Sequence, residues 1–546
     1  TAGAGSLFTT HTPVPAGFDL FPRPLIESDL GAYVREMGME VGDLMRMGKT
    51  NDEDPDVFNV AVLALRESPR RNAVSRLHRR VTAEMMQPGW PEFPKNEVPI
   101  ESVTNGVHTM SWLASEMATL YDTYLGSEWR EDSSLSAAWE GVDRIPDLEL
   151  WRIHSALRER LIAYAREQSR LHAREKWGAG GWHASAVLRP DALTIGFARR
   201  FATYKRATLI LSDLDRLKRI LLDEKRPVQM IMAGKAHPRD GAGKEFIREI
   251  LEVVRREGLT SRVVFVEDYD ISKAALLVQG VDVWLNTPRR PFEACGTSGM
   301  KVVPNGGLNL SILDGWWAES YRPGVGWAIG DGQEYLNHEY QDHMDADHLY
   351  GLLENEIVPL FFDRDADEVP IGWTKMMKES IQVLTPALSG VRMVKEYAER
   401  FYVPGAAHHE RLAADDFSKA RELTAWKARL RSAWSQVGVS WVEEKGPADV
   451  AVGEIIPVRA KVRLGVLEPS DVVVEAYYSR LAADGSIKEG KGVDLHWQSF
   501  ENGEHLYVGE VPARASGLHA FSVRILPEHE DVLIPNELPL VAWEEI

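Results

Sequence analysis

Cysteine is almost absent from this chain: Cys295 is the only one in 546 residues. A single thiol excludes an intramolecular disulfide framework and any cysteine-rich zinc site, and it fits a reducing, cytoplasmic setting. Long apolar runs are missing as well. No stretch of about 18 uninterrupted apolar residues occurs, so no membrane-spanning helix is expected. Positive charge is in deficit, with 63 Lys and Arg against 82 Asp and Glu. The resulting field disfavours nucleic acid and anionic membranes as partners, yet leaves room for a local basic cleft. The opening residues lack a basic stretch followed by an apolar core, so no signal peptide is expected. Repeats and low-complexity tracts are also missing. A composition that is 44% hydrophobic and 27% charged predicts two or three folded domains rather than disorder.

Several apparent motifs fail on inspection. Gly241-Ala242-Gly243-Lys244 lacks the spacing and the following Ser or Thr of a nucleotide phosphate loop. The acidic run from Asp363 to Glu368 has neither the glycine at the sixth position nor the glutamate at the twelfth that a calcium loop needs. His408-His409 reads as a solvated pair, so no metal site is expected. No carboxylate pair spaced for glycoside hydrolysis is evident.

What is present is concentrated in Phe292-Glu293-Ala294-Cys295-Gly296-Thr297-Ser298-Gly299-Met300-Lys301. Gly296 and Gly299 let backbone approach a ligand, and Thr297 and Ser298 supply hydroxyls. A helix starting there points free N–H groups toward an anion. Lys301 either carries a point charge to that anion or loses its proton in a dry pocket and forms a Schiff base. By residue type alone, a glycine-rich helix cap with a surface lysine remains an equal alternative. A second cluster, Phe197-Ala198-Arg199-Arg200-Phe201-Ala202-Thr203-Tyr204-Lys205-Arg206, ends a predicted strand and opens a predicted helix with four cations. Cations there oppose the helix dipole, so the cluster reads as a phosphate clamp.

Apolar strands alternating with amphipathic helices over 187–313 predict a doubly wound parallel sheet. Strands are expected at 193–198, 228–233, 263–267, 281–286 and 308–313, and helices near 204–221, 243–257, 271–279 and 298–304. Ligands bind outside the carboxyl ends of such strands, where both clusters fall. An amphipathic helical stretch is expected at about 375–435. Beyond Ser440, β-rich segments at 450–462, 472–479 and 508–525 suggest an appended β-sandwich.

The segment from Phe292 through Lys301, continued by Val302-Val303-Pro304-Asn305-Gly306-Gly307-Leu308-Asn309-Leu310-Ser311-Ile312-Leu313-Asp314-Gly315-Trp316-Trp317, resembles the pyridoxal-phosphate lysine motif of the α-glucan (glycogen, starch or maltodextrin) phosphorylases, in particular a short bacterial and archaeal type. The 199–206 cluster resembles the same family's Lys/Arg-Arg-x-x-x-Tyr-Lys-Arg motif. The resemblance implies a two-lobe α/β fold of the GT-B type, with a Rossmann-like sheet and a C-terminal β-sandwich-like domain. It implies pyridoxal 5′-phosphate as cofactor and the reversible phosphorolysis of terminal α-1,4-glucosidic bonds to α-D-glucose 1-phosphate, the cofactor's 5′-phosphate acting as acid and base. The partners it implies are α-1,4-glucan, inorganic phosphate and a possible second copy of the chain.

By the same resemblance, Lys301 is the cofactor lysine. Thr297, Ser298, Trp112 and Tyr269 join the cofactor pocket, and Lys205 reaches both substrate and cofactor phosphates. Arg200 holds substrate phosphate and Tyr204 contacts the sugar. Glu293, Cys295 and Gly296 recognise the sugar, with Cys295 standing where most members carry serine. Asn105, in Thr104-Asn105-Gly106-Val107-His108, becomes a sugar-hydroxyl ligand, although alone it reads as an Asn-Gly turn. His78, in Asn72-Ala73-Val74-Ser75-Arg76-Leu77-His78, becomes the histidine near the reacting carbon; alone it reads as a satisfied helix histidine. Ala73 stands where the family has glycine. His11, in a segment from Phe8 to Gly17 that resembles an internal family segment, matches a first-lobe histidine.

The expected domains are 1–112, the remainder of a first lobe; 113–385, the catalytic lobe; 386–439, a helical return; and 440–546, the β-rich domain. The chain is expected to be truncated at its N-terminus, without the family's upstream Gly-Gly-Leu-Gly loop. Two alternatives remain: a retaining glucosyltransferase that uses a nucleotide sugar, and an inactive glucan-binding subunit.

Overall fold

Strands that are buried along nearly their whole length need cover on both faces, and the central sheet of this chain is built from such strands. The computed structural model describes residues 3–14, 17–49, 56–177, 187–236, 239–443, 449–481 and 490–545, with backbone only for 172–177. Pro15 and Ala16, within the Phe8–Gly17 stretch, lie outside the described residues. The chain divides into two compact units. One comprises Thr1–Ala73, Arg79–Glu101 and Ala398–Ile546; the other comprises Val74–His78 and Ser102–Tyr397.

Among the described residues, the second unit contains a sheet of six parallel strands: β1 (Leu193–Ala198), β2 (Val228–Ala233), β3 (Val263–Val266), β4 (Val283–Asn286), β5 (Leu308–Ile312) and β6 (Gly326–Ile329). Their spatial order is β6-β5-β4-β1-β2-β3. The chain therefore winds outward from β1 in one direction, then returns to the other side of β1 and winds outward again. The switch point lies at the carboxyl ends of β1 and β4, where a crevice opens in such sheets. Side chains alternate as the pleat dictates. Leu193, Ile195 and Phe197 join one core with Met230, Val283 and Leu285. Ala198, Ile231 and Trp284 join another with Leu161, Leu277 and Val278 from helices on the opposite face.

Several expected features differ from the structure. The helix expected from 204 begins at Leu214, where the Asp213 side chain accepts the Arg216 N–H at 2.9 Å. The basic segment forms only a 3₁₀ turn, Thr203–Lys205, which ends where Arg206 takes a left-handed φ of 47°. No helix dipole therefore opposes its cations. The Asn105-Gly106 pair makes no turn. It runs extended beside 388–390, with Val107 N–H bonded to Leu388 O at 2.9 Å and Gly390 N–H to Val107 O at 2.7 Å. The expected 375–435 helix is several pieces: Ile371–Ala387, Gly390–Tyr397 and Val403–Ala433, the last interrupted by non-helical backbone at Ala414, Asp415, Asp416 and Phe417.

In the first unit, Leu7–Thr9 pairs in parallel with Arg70–Ala73. Ala73 adopts ordinary strand backbone there, so alanine in place of glycine meets no conformational penalty. The described C-terminal residues form seven strands: Gly438–Val442, Ile455–Arg463, Val472–Arg480, Lys491–Glu501, Glu504–Pro512, His519–Pro527 and Ala542–Trp543. The pairings are antiparallel and join all seven into one sheet. The first half of Lys491–Glu501 pairs with Val472–Arg480 and its second half with Glu504–Pro512, and a Val439–Glu544 bridge brings the first strand beside the end of the last, all around one core.

His408 is buried, contrary to the solvated pair expected. Its helix face turns it into a cavity of about 770 Å³ that it lines with Leu65, Met86, Trp90, Leu412 and Leu423, while His409 faces solvent. Burial lowers its pKa.

Arg524 is the electrostatic centre of this unit. It is 3% exposed, donates from Nη2 to Glu97 at 3.0 Å and from Nε to Glu475 at 2.8 Å, and lies over the rings of Tyr477 and Trp543. Arg524→Ala leaves two largely buried carboxylates facing each other. An expected loss of about 2–3 kcal/mol of stability, measured by urea unfolding, follows from the strength of hydrogen bonds to charged groups.

Candidate active site

Two loops meet at the switch point because backbone bonds stitch them together. Thr287, just beyond β4, donates its hydroxyl toward the carbonyls of Lys205 and Arg206 at 3.2 and 3.1 Å, and Arg289 N–H bonds Tyr204 O at 2.7 Å. The four cations after β1 then separate by role. Arg206 is structural: it is buried, bonded to the carbonyls of Thr287 and Pro288, and paired with Asp342 and Asp345. Arg200 is exposed. Arg199 and Lys205 remain, and both grip one carboxylate oxygen, Oε2 of Glu293, Lys205 at 2.5 Å.

This triad is dry. Burial would raise the Glu293 carboxyl, but Arg199 and Lys205 together hold it below its ordinary value. Burial, with Arg199 beside it, pulls Lys205 down to about 8. Tyr204, whose ring lies 4.5 Å from Lys205 Nζ, is pushed up to about 12 by burial and by Glu293. Among the described residues, Arg199 finds no hydrogen-bond partner for two buried donors, Nε and Nη1. A buried guanidinium with donors to spare is suited to receive an anion.

Asp314 aims Glu293. Its buried carboxyl accepts from the backbone N–H of Glu293 at 2.9 Å and of Gly315 at 2.8 Å, and Trp316 N–H bonds Cys295 O at 3.0 Å. Burial pushes Asp314 up to about 7. Gly296 has a φ of +72°, which a side chain tolerates poorly. At Gly299 a Cβ would lie 2.2 Å from Asn309 Oδ1, so only glycine lets the loop lie this close to β5. Cys295 is 3% exposed, with its thiol pushed up to about 12 by burial, and behaves as a small apolar residue.

The helix expected at 298–304 is Ser298–Val302, followed by a 3₁₀ turn. Its five residues make a weak dipole. Thr297 occupies the cap position without a side-chain bond, and Ser298 Oγ accepts from Trp284 Nε1 at 3.2 Å. Lys301 Nζ lies 3.9 Å from the centre of the Trp112 ring, and burial lowers its pKa. Tyr269 packs against the same core as Trp112.

The 74–78 segment joins this unit through Ser75, whose hydroxyl donates to Ala294 O at 2.6 Å. His78 is 1% exposed, and its Nδ1 accepts the Val74 N–H at 3.3 Å. Asn105 is fixed through its backbone: its N–H bonds Val74 O at 3.2 Å, and its carbonyl accepts from Arg392 Nη2 at 3.0 Å. His11 belongs to the other unit and is exposed.

Asp314, Asn305 and Arg392 are absent from the residues singled out by sequence, and Arg199 was read only as one of the four clamp cations, without a role of its own. Arg199 was visible as half of an Arg-Arg pair, with no local signal to say which half turns inward. Asn305, followed by Gly306, reads as a turn, which hides its side-chain role.

Comparison with known families matches residues 26–322 to the one described as Carbohydrate phosphorylase and residues 434–545 to the one described as Glycogen phosphorylase C-terminal domain. The chain is 41% identical over 543 residues to the maltodextrin phosphorylase of Thermococcus litoralis, covering 99% of this chain and 63% of the relative. It is 38% identical over 557 residues to a glycogen phosphorylase of Mycobacterium tuberculosis, covering 98% and 63%, and 44% identical over 406 residues to that of Aquifex aeolicus, covering 73% and 57%. It thus spans less than two thirds of the length of these relatives. With more than half of its residues matched, the chain belongs to the carbohydrate phosphorylase family.

Proposed function

We propose that this chain acts as an α-glucan phosphorylase, carrying out reversible phosphorolysis of terminal α-1,4-glucosidic bonds to α-D-glucose 1-phosphate with pyridoxal 5′-phosphate as resident cofactor. The two-lobe GT-B arrangement is part of the proposal, with 1–112 in the first lobe, 113–385 as catalytic lobe, 386–439 as helical return and 440–546 as an appended domain. The observation that carries it is the half-buried Lys301 amine on the face of Trp112, at the switch point that also holds Arg199 and Lys205. The residues fit the cofactor. Lys301 would hold it covalently, Trp112 and Tyr269 would wall it, and Arg199's unpartnered donors with Lys205 would meet its phosphate. When bound, that phosphate supplies the proton transfer that a phosphorolysis requires.

The chain's own residues have separable tasks. Lys205 and Arg199 screen the repulsion between phosphates, which is severe in a dry site, and Arg200 supplies a further, exposed cation for substrate phosphate. Thr297 and Ser298 line the loop beside Lys301. Glu293, Tyr204, Asn105, Gly296 and Cys295 recognise the sugar, and His78 completes its surroundings.

The test is to treat the protein with pyridoxal phosphate and borohydride and map the adduct by mass spectrometry. An adduct on Lys301 supports the proposal; a folded protein without one would favour a nucleotide-sugar glucosyltransferase or a glucan-binding subunit.

Lys205→Ala removes one charge-assisted bond of about 1.5–3 kcal/mol, so pyridoxal phosphate affinity is expected to fall about 10- to 100-fold by fluorescence titration. Because Lys205 titrates at about 8, its charge is present below that pH and lost above it. Binding of inorganic phosphate is therefore expected to weaken as pH rises through 8, measurable by calorimetry.

A further inference from the structure

We propose that Asn305 is a positioning residue that holds Trp112 against Lys301 and so readies the lysine for an aldehyde; this deepens the phosphorylase reading and rests on it. Asn305 is fully buried and uses its whole amide on two segments far apart in sequence. Nδ2 donates to Trp112 O at 2.9 Å and to Lys301 O at 3.1 Å, while Oδ1 accepts the Ala114 N–H at 2.8 Å. One planar group therefore ties the backbone on both sides of the lysine–indole contact. The contact itself, 3.9 Å from Nζ to the ring centre, is well inside the roughly 6 Å over which a cation or amine feels an aromatic face.

Only an amide offers two donors and an acceptor in so short a side chain. Aspartate offers no donor and would turn a carboxylate toward two carbonyls. The amide's own position is fixed by its backbone neighbours: Asn305 O bonds His154 Nδ1 at 3.0 Å, and Pro304 O accepts from Tyr121 Oη at 2.6 Å. Asn305 is thus held rigidly by groups that touch neither Lys301 nor Trp112 through hydrogen bonds. It can set their spacing without contacting the reacting amine.

The depressed pKa of Lys301 has burial as its cause, so any loosening of Trp112 returns water to the amine and makes it less reactive at neutral pH.

The test measures borohydride-trapped labelling of Lys301 against pyridoxal phosphate concentration and pH, with unfolding midpoints alongside. In Asn305→Asp and Asn305→Ala, the concentration for half-labelling is expected to rise at least about tenfold, and the pH of half-maximal labelling rate to move upward. Agreement between them separates loss of the donors from the charge that aspartate adds. Ala114→Pro offers a gentler route, since the φ of −68° at Ala114 suits proline. It removes the N–H that Oδ1 accepts and is expected to move both readings the same way by less. If all folded variants lower the unfolding midpoint while half-labelling and its pH profile stay as in the wild type, Asn305 is merely structural and the inference is overturned. A wild-type protein that gives no adduct at Lys301 overturns the functional reading instead, and this inference with it.

Discussion

Lys301→Arg is expected to abolish the pyridoxyl adduct completely while leaving the fold intact. Arginine keeps the charge and most of the reach of lysine, but its guanidinium stays protonated throughout the accessible pH range and offers no free amine. Lys301 differs in being half-buried on Trp112, with its pKa lowered by burial. Its neutral form is therefore populated at lower pH than in an exposed lysine, and capture of the aldehyde is expected to rise with pH and level off below 10.5, the ordinary lysine value. Mass spectrometry after borohydride across a pH series checks both statements. An adduct that persists in the arginine variant, mapped to Lys205 or another lysine, would move the cofactor site elsewhere.

Asp282→Ala should cost the second unit about 3–5 kcal/mol, the amount associated with stripping one partner from a buried ion pair. Asp282 is fully buried and accepts from Arg158 Nη1 at 2.6 Å, His154 Nε2 at 3.0 Å and Thr194 N–H at 2.8 Å. Burial alone would raise its pKa; Arg158, His154 and Thr194 hold it below the ordinary value. Its removal leaves Arg158, only 4% exposed at the side chain, without its carboxylate. Denaturant unfolding followed by tryptophan fluorescence measures the loss. Because the network begins where β4 begins and ends at Asn305, the variant should also impair Lys301 labelling at temperatures where it remains folded. An unfolding free energy within about 1 kcal/mol of the wild type would show that the pair is nearly neutral, as some buried pairs are.

Sequence made the parallel sheet legible because its strands are mostly apolar, and a short, largely apolar run between amphipathic helices fits little besides a strand covered on both faces. The boundaries at Val263–Val266 and Leu308–Ile312 each fell one residue short of expectation. Strand β6 escaped notice: four residues beginning with glycine carry no period. Lys491–Glu501 escaped for the opposite reason, since it lies inside its sheet yet buries only Leu495 and reads as polar.

At the site, the contiguous motif around Lys301 was readable because glycines, hydroxyls and one lysine fall within ten residues. Asp314 and Arg392 were not. Their work is done on backbone atoms of distant segments, Glu293 for one and Asn105 for the other, and neither partner leaves a mark in local pattern. The choice between Arg199 and Arg200 was equally invisible, because it depends on which guanidinium turns toward Glu293.

The bond from Ser75 to Ala294 spans 219 residues, and the first unit draws on both early residues and those after 398. On a ribosome adding roughly 5–20 residues per second, Ser75 would wait roughly ten to forty seconds for its partner. Neither unit can therefore finish folding as a simple N-terminal block during synthesis. Residues 74–78 must remain undocked while most of the six-stranded parallel sheet is still being made, a period in which a holding chaperone would have the most to gain.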